Sequence, residues 1–211
     1  MGILDIFRRR LRIREPRELA DFIDRNAAFI TQKGIYEYSR ARAGHYSKVL
    51  FREPTFRAAC DDARWRAFPL GLAMVGELVE GVLCPSRSED RLAQVEAIRA
   101  LVLTVFDRYP IPTPLDETVW SELRGELDQH MRRIGLHPPK TARDVPVALA
   151  ATYFSVMPIH PKLRGRDAPT LLNYLRVTMC NIHDTLTRSV DAGAVVASLR
   201  AGPLIQSASI L

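Results

Sequence analysis

The sequence predicts an all-α protein, a single-domain irregular helical bundle of about seven to eight helices. Three observations carry that expectation. Apolar residues recur at intervals of three and four over most of the chain, the spacing of one helix face. No segment alternates with period two beside hairpin turn chemistry, so no strand is expected. Proline, glycine and capping residues fall between the periodic runs, where helices start and stop. With 211 residues, 47% of them hydrophobic and 26% charged, the chain can bury a core without metal or disulfide staples. The expected organisation is an amphipathic basic segment over 1–15, the bundle over 16–200 and a tail over 201–211.

The opening, MGILDIFRRRLRIRE, sets Ile3, Leu4, Phe7 and Leu11 at helical spacing, with Arg8, Arg9, Arg10 and Arg12 on the remaining surface. Such a helix can lie in a membrane interface, apolar face down. Each cation near an anionic leaflet adds about 1 kcal/mol. The alternatives are a basic tail or a helix docked on its own domain. Six arginines against two acids give residues 1–17 a charge of +4 out of a total of +6. The body is therefore close to neutral, and nucleic acid, which needs a basic face on the domain, is a disfavoured partner. The apolar start is too short for a secretory signal and precedes its arginines.

After Pro16, the series Leu19, Ile23, Ala27, Ile30, Gly34, Tyr38 and Ala41 predicts a helix from Arg17 to about Tyr46. A second runs from near Pro54 to Phe68. Pro69 should kink or restart it, because proline has no N–H and crowds the preceding turn. The apolar run 67–84 follows as a buried helix, since Glu77 and Glu80 interrupt it too often for a membrane span. Ser86 and Glu89 form a capping box that opens a helix to about Arg108. Thr113 and Pro114 suit the N-cap and first turn of a helix that ends at Ile134, before Gly135. Asp144 can cap a short helix, Val145 to Val156. The stretch MPIHPKLRGRDAP, 157–169, reads as an interhelical loop, with Asp167 and Pro169 starting a helix to about Ser189. A short helix covers Asp191 to Leu199, and the end has no clear pattern.

No GxSxG elbow, Walker loop, GxGxxG, HExxH or EF-hand loop occurs. The candidate sites are therefore clusters. Lys33, Tyr36, Glu37, Arg40, Arg42 and His45 crowd one helical stretch, with Lys33 and Glu37 spaced to pair. They could wall a pocket for an anionic or planar ligand, or stack RNA bases; tyrosines packed at a core edge are the plainer alternative. His160, Arg164 and Arg166 could form an anion-binding rim near the next helix N-terminus. Asn173, Arg176, Cys180, His183 and Thr187 form a stripe beside the Leu172–Leu186 apolar seam, and Cys180 with His183 is the weak catalytic candidate. Glu77 and Glu80 need partners if buried, for which Arg176 or Lys33 is offered; no metal is assigned. Glu126 and His130 share a face that reads as solvated surface. Cys60, Cys84 and Cys180, widely spaced and odd in number, read as free thiols in a reducing cytoplasm, there for core packing.

RNAAFITQKGIYEYSRARAGHYSKVLFREPTF resembles the start of a bacterial helical family with the pattern AAFIxQKxxYxYxxxRxG, carried here by Ala27, Ala28, Phe29, Ile30, Gln32, Lys33, Tyr36, Tyr38, Arg42 and Gly44. PIHPKLRGRDAPTLLNYLRVTMCNIHDTL resembles that family's later block more loosely. Together they cover under a third of the chain. Members are often labelled esterases, a label the resemblance brings with it; this chain has no serine elbow to support it.

The leading expectation is a cytoplasmic, non-enzymatic helical protein that binds a partner protein or small anionic ligand, without a cofactor, and rests on the anionic inner membrane surface through its N-terminal helix. The alternatives are an esterase-type hydrolase, using Cys180 with His183 or Ser39 near His45, and an RNA-associated helical module.

Overall fold

The computed structural model describes residues 12–84, 90–159 and 161–201, with the backbone alone for 161–165. These form an all-α bundle, and no strand occurs among the described residues. Of the amphipathic helix expected over 1–15, residues 12–15 are not helical, Ile13 being buried and bridged to Val190; residues 1–11, the Ser86–Glu89 capping box and the tail beyond 201 lie outside the described residues.

Helix α1 spans Pro16–Gln32, with proline in its first turn and Glu18 closing back on the N–H groups of Arg14 and Glu15. The chain then widens into a π-helical turn, Lys33–Glu37, and continues as α2, Tyr38–Ala43, and the short α3, Ser47–Leu50. The widening has a visible cause. The Tyr153 hydroxyl donates to the Ile30 carbonyl at 3.0 Å, and a Cβ on Gly34 would lie 2.1 Å from that hydroxyl. A tyrosine thus occupies space beside the backbone that only glycine leaves open.

Helix α4, Pro54–Leu83, is the centre of the bundle. From Ala67 to Glu80 all of its side chains are buried except the half-buried Leu70. Pro69 neither ends nor restarts it. Interior proline costs about 3 kcal/mol, and burial on every face outweighs that here. Helix α1 crosses α4 closely at Gly71, where a Cβ would meet the Ala27 carbonyl at 3.0 Å.

Helix α5, Arg91–Phe106, and α6, Glu117–Arg133, pack on α4 and on each other. An aromatic group of Trp65, Phe68, Phe106, Tyr109 and Trp120 fills the junction. The Tyr109 hydroxyl, pushed upward by burial and by its bond to Asp24, ties this corner to α1. Helix α6 begins later than the Thr113–Pro114 pair suggests, because Asp116 is the N-cap and accepts from the Val119 N–H at 2.8 Å. A 3-10 turn at 134–136 follows, and 145–148 forms another before α7, Ala150–Val156.

Helix α8 starts at Pro161, not Pro169, and runs unbroken to Ser189. The expected loop over 157–169 is therefore mostly helix. The rule of proline in the first turn held, applied to an earlier proline. Asp167 is no cap: it is buried, with the Arg42 guanidinium 2.7 Å away. Helix α9, Ala192–Ala201, follows a bend at which the Ile13 N–H donates to the Ser189 carbonyl and the Asp191 N–H to the Ile13 carbonyl.

Candidate functional site

Besides a cavity of about 400 Å³ edged by Arg12, Ile13, Glu18, Asp21, Asp24 and Arg25, two places among the described residues combine a cavity with chemistry-bearing side chains. The first is an open groove of about 430 Å³ between α1 and α8. Asn26 and Phe29 of α1, with Lys33 at the start of the π-helical turn, line one side, and Tyr174, Val177, Thr178, Asn181, Ile182 and Thr185 of α8 line the other. Phe29 is 46% exposed and Val177 61%, so two large apolar side chains stand in water at one groove. The Lys33 ammonium lies 5.1 Å from the Phe29 ring centre, within cation–π range, and 3.8 Å from Glu37. The Tyr174 hydroxyl is closed off from water.

The second lies around the carboxylates of α4. The Glu77 side chain has no solvent exposure, and Lys140 Nζ sits 2.7 Å from Oε1. His130 Nε2 is 3.2 Å from Oε2, and His137 Nε2 is 3.9 Å from Oε1. Burial by itself would raise the Glu77 carboxyl; the bonds from His130 and Lys140 overcome it and hold the group below its ordinary value. An ionised carboxylate only accepts, so Nε2 of His130 carries the hydrogen. Glu80 meets Arg91 at 2.6 Å, and Arg91 also donates to the Ile134 and Gly135 carbonyls. Burial raises Glu80 despite that pairing. Beside this cluster is a pocket of about 300 Å³ walled by α4, α6 and α7.

The expected partners of the two carboxylates are thus replaced. Lys140, His130 and Arg91 serve them, not Arg176 or Lys33. His130 turns inward and is not part of a solvated face. Sequence reasoning missed this trio because a buried acid calls for a cation without saying which.

Of the predicted ligand residues, Lys33 lines the α1–α8 groove. Tyr36 donates instead to Asp61 on α4 at 2.8 Å; burial and that bond push its hydroxyl up to about 12. Arg40 lies over the Phe51 ring, Arg42 pairs with Asp167, and exposed His45 packs on Tyr46. Arg176 is half-buried on α8, and Arg166 is exposed. Arg12 is exposed; Ile3, Leu4, Phe7, Leu11, Arg8, Arg9 and Arg10 are outside the described residues, as is His160, and of the Arg164 side chain nothing is described.

Cys180 is exposed, which corrects its expected role in core packing; Cys60 and Cys84 are buried, their thiols pushed by burial to about 11 and about 12. His183 lies 3.9 Å from the exposed Asp184. Cys180 and His183 therefore sit on open helix surface, where solvent screens any activating charge. Ser39 is buried while His45 is exposed. Among the described residues, no group of three His, Cys, Asp or Glu side chains could hold a metal ion, and no helix is long and apolar enough to cross a membrane.

Compared with protein-family models, with curated proteins and with solved structures, the chain finds no match.

Proposed function

We propose that this is a non-enzymatic binding protein that takes a small planar anionic ligand in the groove between α1 and α8. One observation carries the reading: Phe29, Val177 and Lys33 converge on one cavity while two of them leave apolar surface in water. The Phe29 and Tyr174 rings offer faces to a planar body, the ammonium offers a counter-charge, and Asn26, Thr178 and Asn181 offer hydrogen bonds. The test uses anilinonaphthalene sulfonate, an anionic aromatic dye that brightens when shielded from water. Lys33→Glu and Val177→Asp should each weaken its binding roughly tenfold or more, with helical dichroism unchanged. Equal dye affinity in both variants and the parent would contradict the reading.

Attachment to the anionic face of a membrane in the cytoplasm is the second part of the proposal. It rests on residues 1–12, where Ile3, Leu4, Phe7 and Leu11 alternate with arginines. Vesicles containing anionic lipid should carry the full chain upward in a density gradient and leave behind a chain lacking residues 1–15. Equal partitioning of the two would dismiss this part.

A further inference from the structure

The connection from α1 to α4 carries a second surface, none of whose residues lines the groove. Gly44 ends α2 with φ at 54°, a conformation open to glycine and to few other residues. A turn at 44–46 and α3 follow. Tyr46 is 66% exposed and Val49 60%. Three residues apart on successive turns, they share a face. The His45 ring packs on Tyr46, with centroids 4.0 Å apart. An aromatic and an aliphatic side chain thus stand together in water at the tip of a bend.

Cations flank these two side chains. Residues 40–57 hold Arg40, Arg42, Lys48, Arg52 and Arg57 against Glu53 alone, a charge of +4. The chain totals +6, of which residues 1–17 supply +4, so the body carries +2 and the rest of it, outside 40–57, sums to −2. The near-neutral total of the body conceals one strongly basic segment. Arg42 is engaged by Asp167. Arg40, Lys48, Arg52 and Arg57 are exposed and make no ion pair among the described residues. The neighbouring acids are engaged by other groups: Glu37 by Lys33, and Asp61 by Tyr36 and Arg64.

From this arrangement we infer that residues 40–57 form a membrane-contact surface, with Tyr46 and Val49 entering the interface of an anionic bilayer and the unpaired cations around them meeting its phosphates. Tyrosine suits that depth, having an apolar ring and a polar tip. Long cationic side chains lay their methylenes along the apolar boundary and keep their charge among the headgroups. Val49 favours a bilayer over RNA: an aliphatic side chain gains burial against acyl chains, and little against phosphates and bases. This surface shares a partner with the N-terminal segment and none of its residues. Each contact alone gives reversible binding, and the two together hold the protein firmly.

The probe is the full chain titrated with vesicles of phosphatidylglycerol and phosphatidylcholine in equal parts, with bound protein measured by sedimentation. Tyr46→Ser with Val49→Ser, both at exposed positions, should weaken partitioning about tenfold and leave helical dichroism unchanged. Lys48→Gln with Arg52→Gln should also weaken it and flatten its dependence on salt. Val177→Ser, an equally exposed apolar position in the groove, should partition as the parent does. Phe7→Ser with Leu11→Ser tests the N-terminal contact by itself. The inference is overturned if the Tyr46/Val49 variant partitions like the parent, whatever the N-terminal variant does, or if vesicles of phosphatidylcholine alone bind the parent equally well. It is also overturned if the Tyr46/Val49 change abolishes binding to single-stranded RNA and leaves vesicle binding intact, which would assign the surface to RNA.

Discussion

Replacing Glu77 with alanine is expected to destabilise the protein by about 3–5 kcal/mol at neutral pH, as for other buried pairs broken from one side. The change strips Lys140 and His130 of the carboxylate that balances them inside the bundle. It also releases the segment around residue 140 and the end of α6 from the central helix. Glu77→Gln keeps the shape and one acceptor, so it isolates the charge. Folded Glu77 titrates below its unfolded value near 4.5. Its contribution is therefore complete above that value and is lost as the pH falls through the lower, folded one. The gap between parent and Glu77→Gln should be widest near neutrality and shrink below pH 4.5. Glu80 works in the opposite sense. Its folded value is raised, so its contribution is present below the unfolded value and fades as pH rises through the folded one. Urea unfolding of the parent, Glu77→Gln and Glu80→Gln between neutral and acid pH measures these slopes. A Glu77→Ala variant as stable as the parent, or a Glu77→Gln gap that widens in acid, would contradict the assignment of Glu77 as an internal anion.

The second large effect is expected at Gly34. Gly34→Ala should cost about 2–4 kcal/mol, since overpacking at a buried site forces rigid groups apart. The obstruction is the end of Tyr153, whose ring is fully buried and cannot swing into solvent. Tyr153→Phe removes the hydroxyl nearest the new methyl and also the bond to the Ile30 carbonyl, a loss of about 1 kcal/mol by itself. The double variant should therefore be more stable than the sum of the single losses by more than about 1 kcal/mol. Additive losses in thermal or urea unfolding would mean that the two residues do not share the contact.

The all-helical class was legible because the three-and-four spacing is a local property of α1, α5, α6 and α8. Where the sequence expectations failed, the cause was long-range. Pro69 looks like a breaker, yet it sits inside a continuous helix, where burial from several sides overrides a local penalty; Pro169, read as a helix start, lies exposed inside α8, whose start is set further back at Pro161. Asp167 resembles a cap until Arg42, 125 positions earlier in the chain, comes to lie beside it. The site shows the same division. Lys33 and Phe29 are visible as one helix face, but Val177 and Tyr174 join them only once α8 is laid along α1. Glu77 announces itself as a charge in an apolar run; its choice of Lys140 and His130 over the chain's other cations depends on a loop and a helix whose approach no local spacing encodes.

The central functional claim is that the α1–α8 groove receives the ligand, and backbone amide resonances recorded during a titration with anilinonaphthalene sulfonate test it most directly. The account predicts saturable shifts concentrated at residues 26–33 and 174–185, with 123–133 unmoved. Shifts centred elsewhere, or spread evenly over the helices, would contradict it.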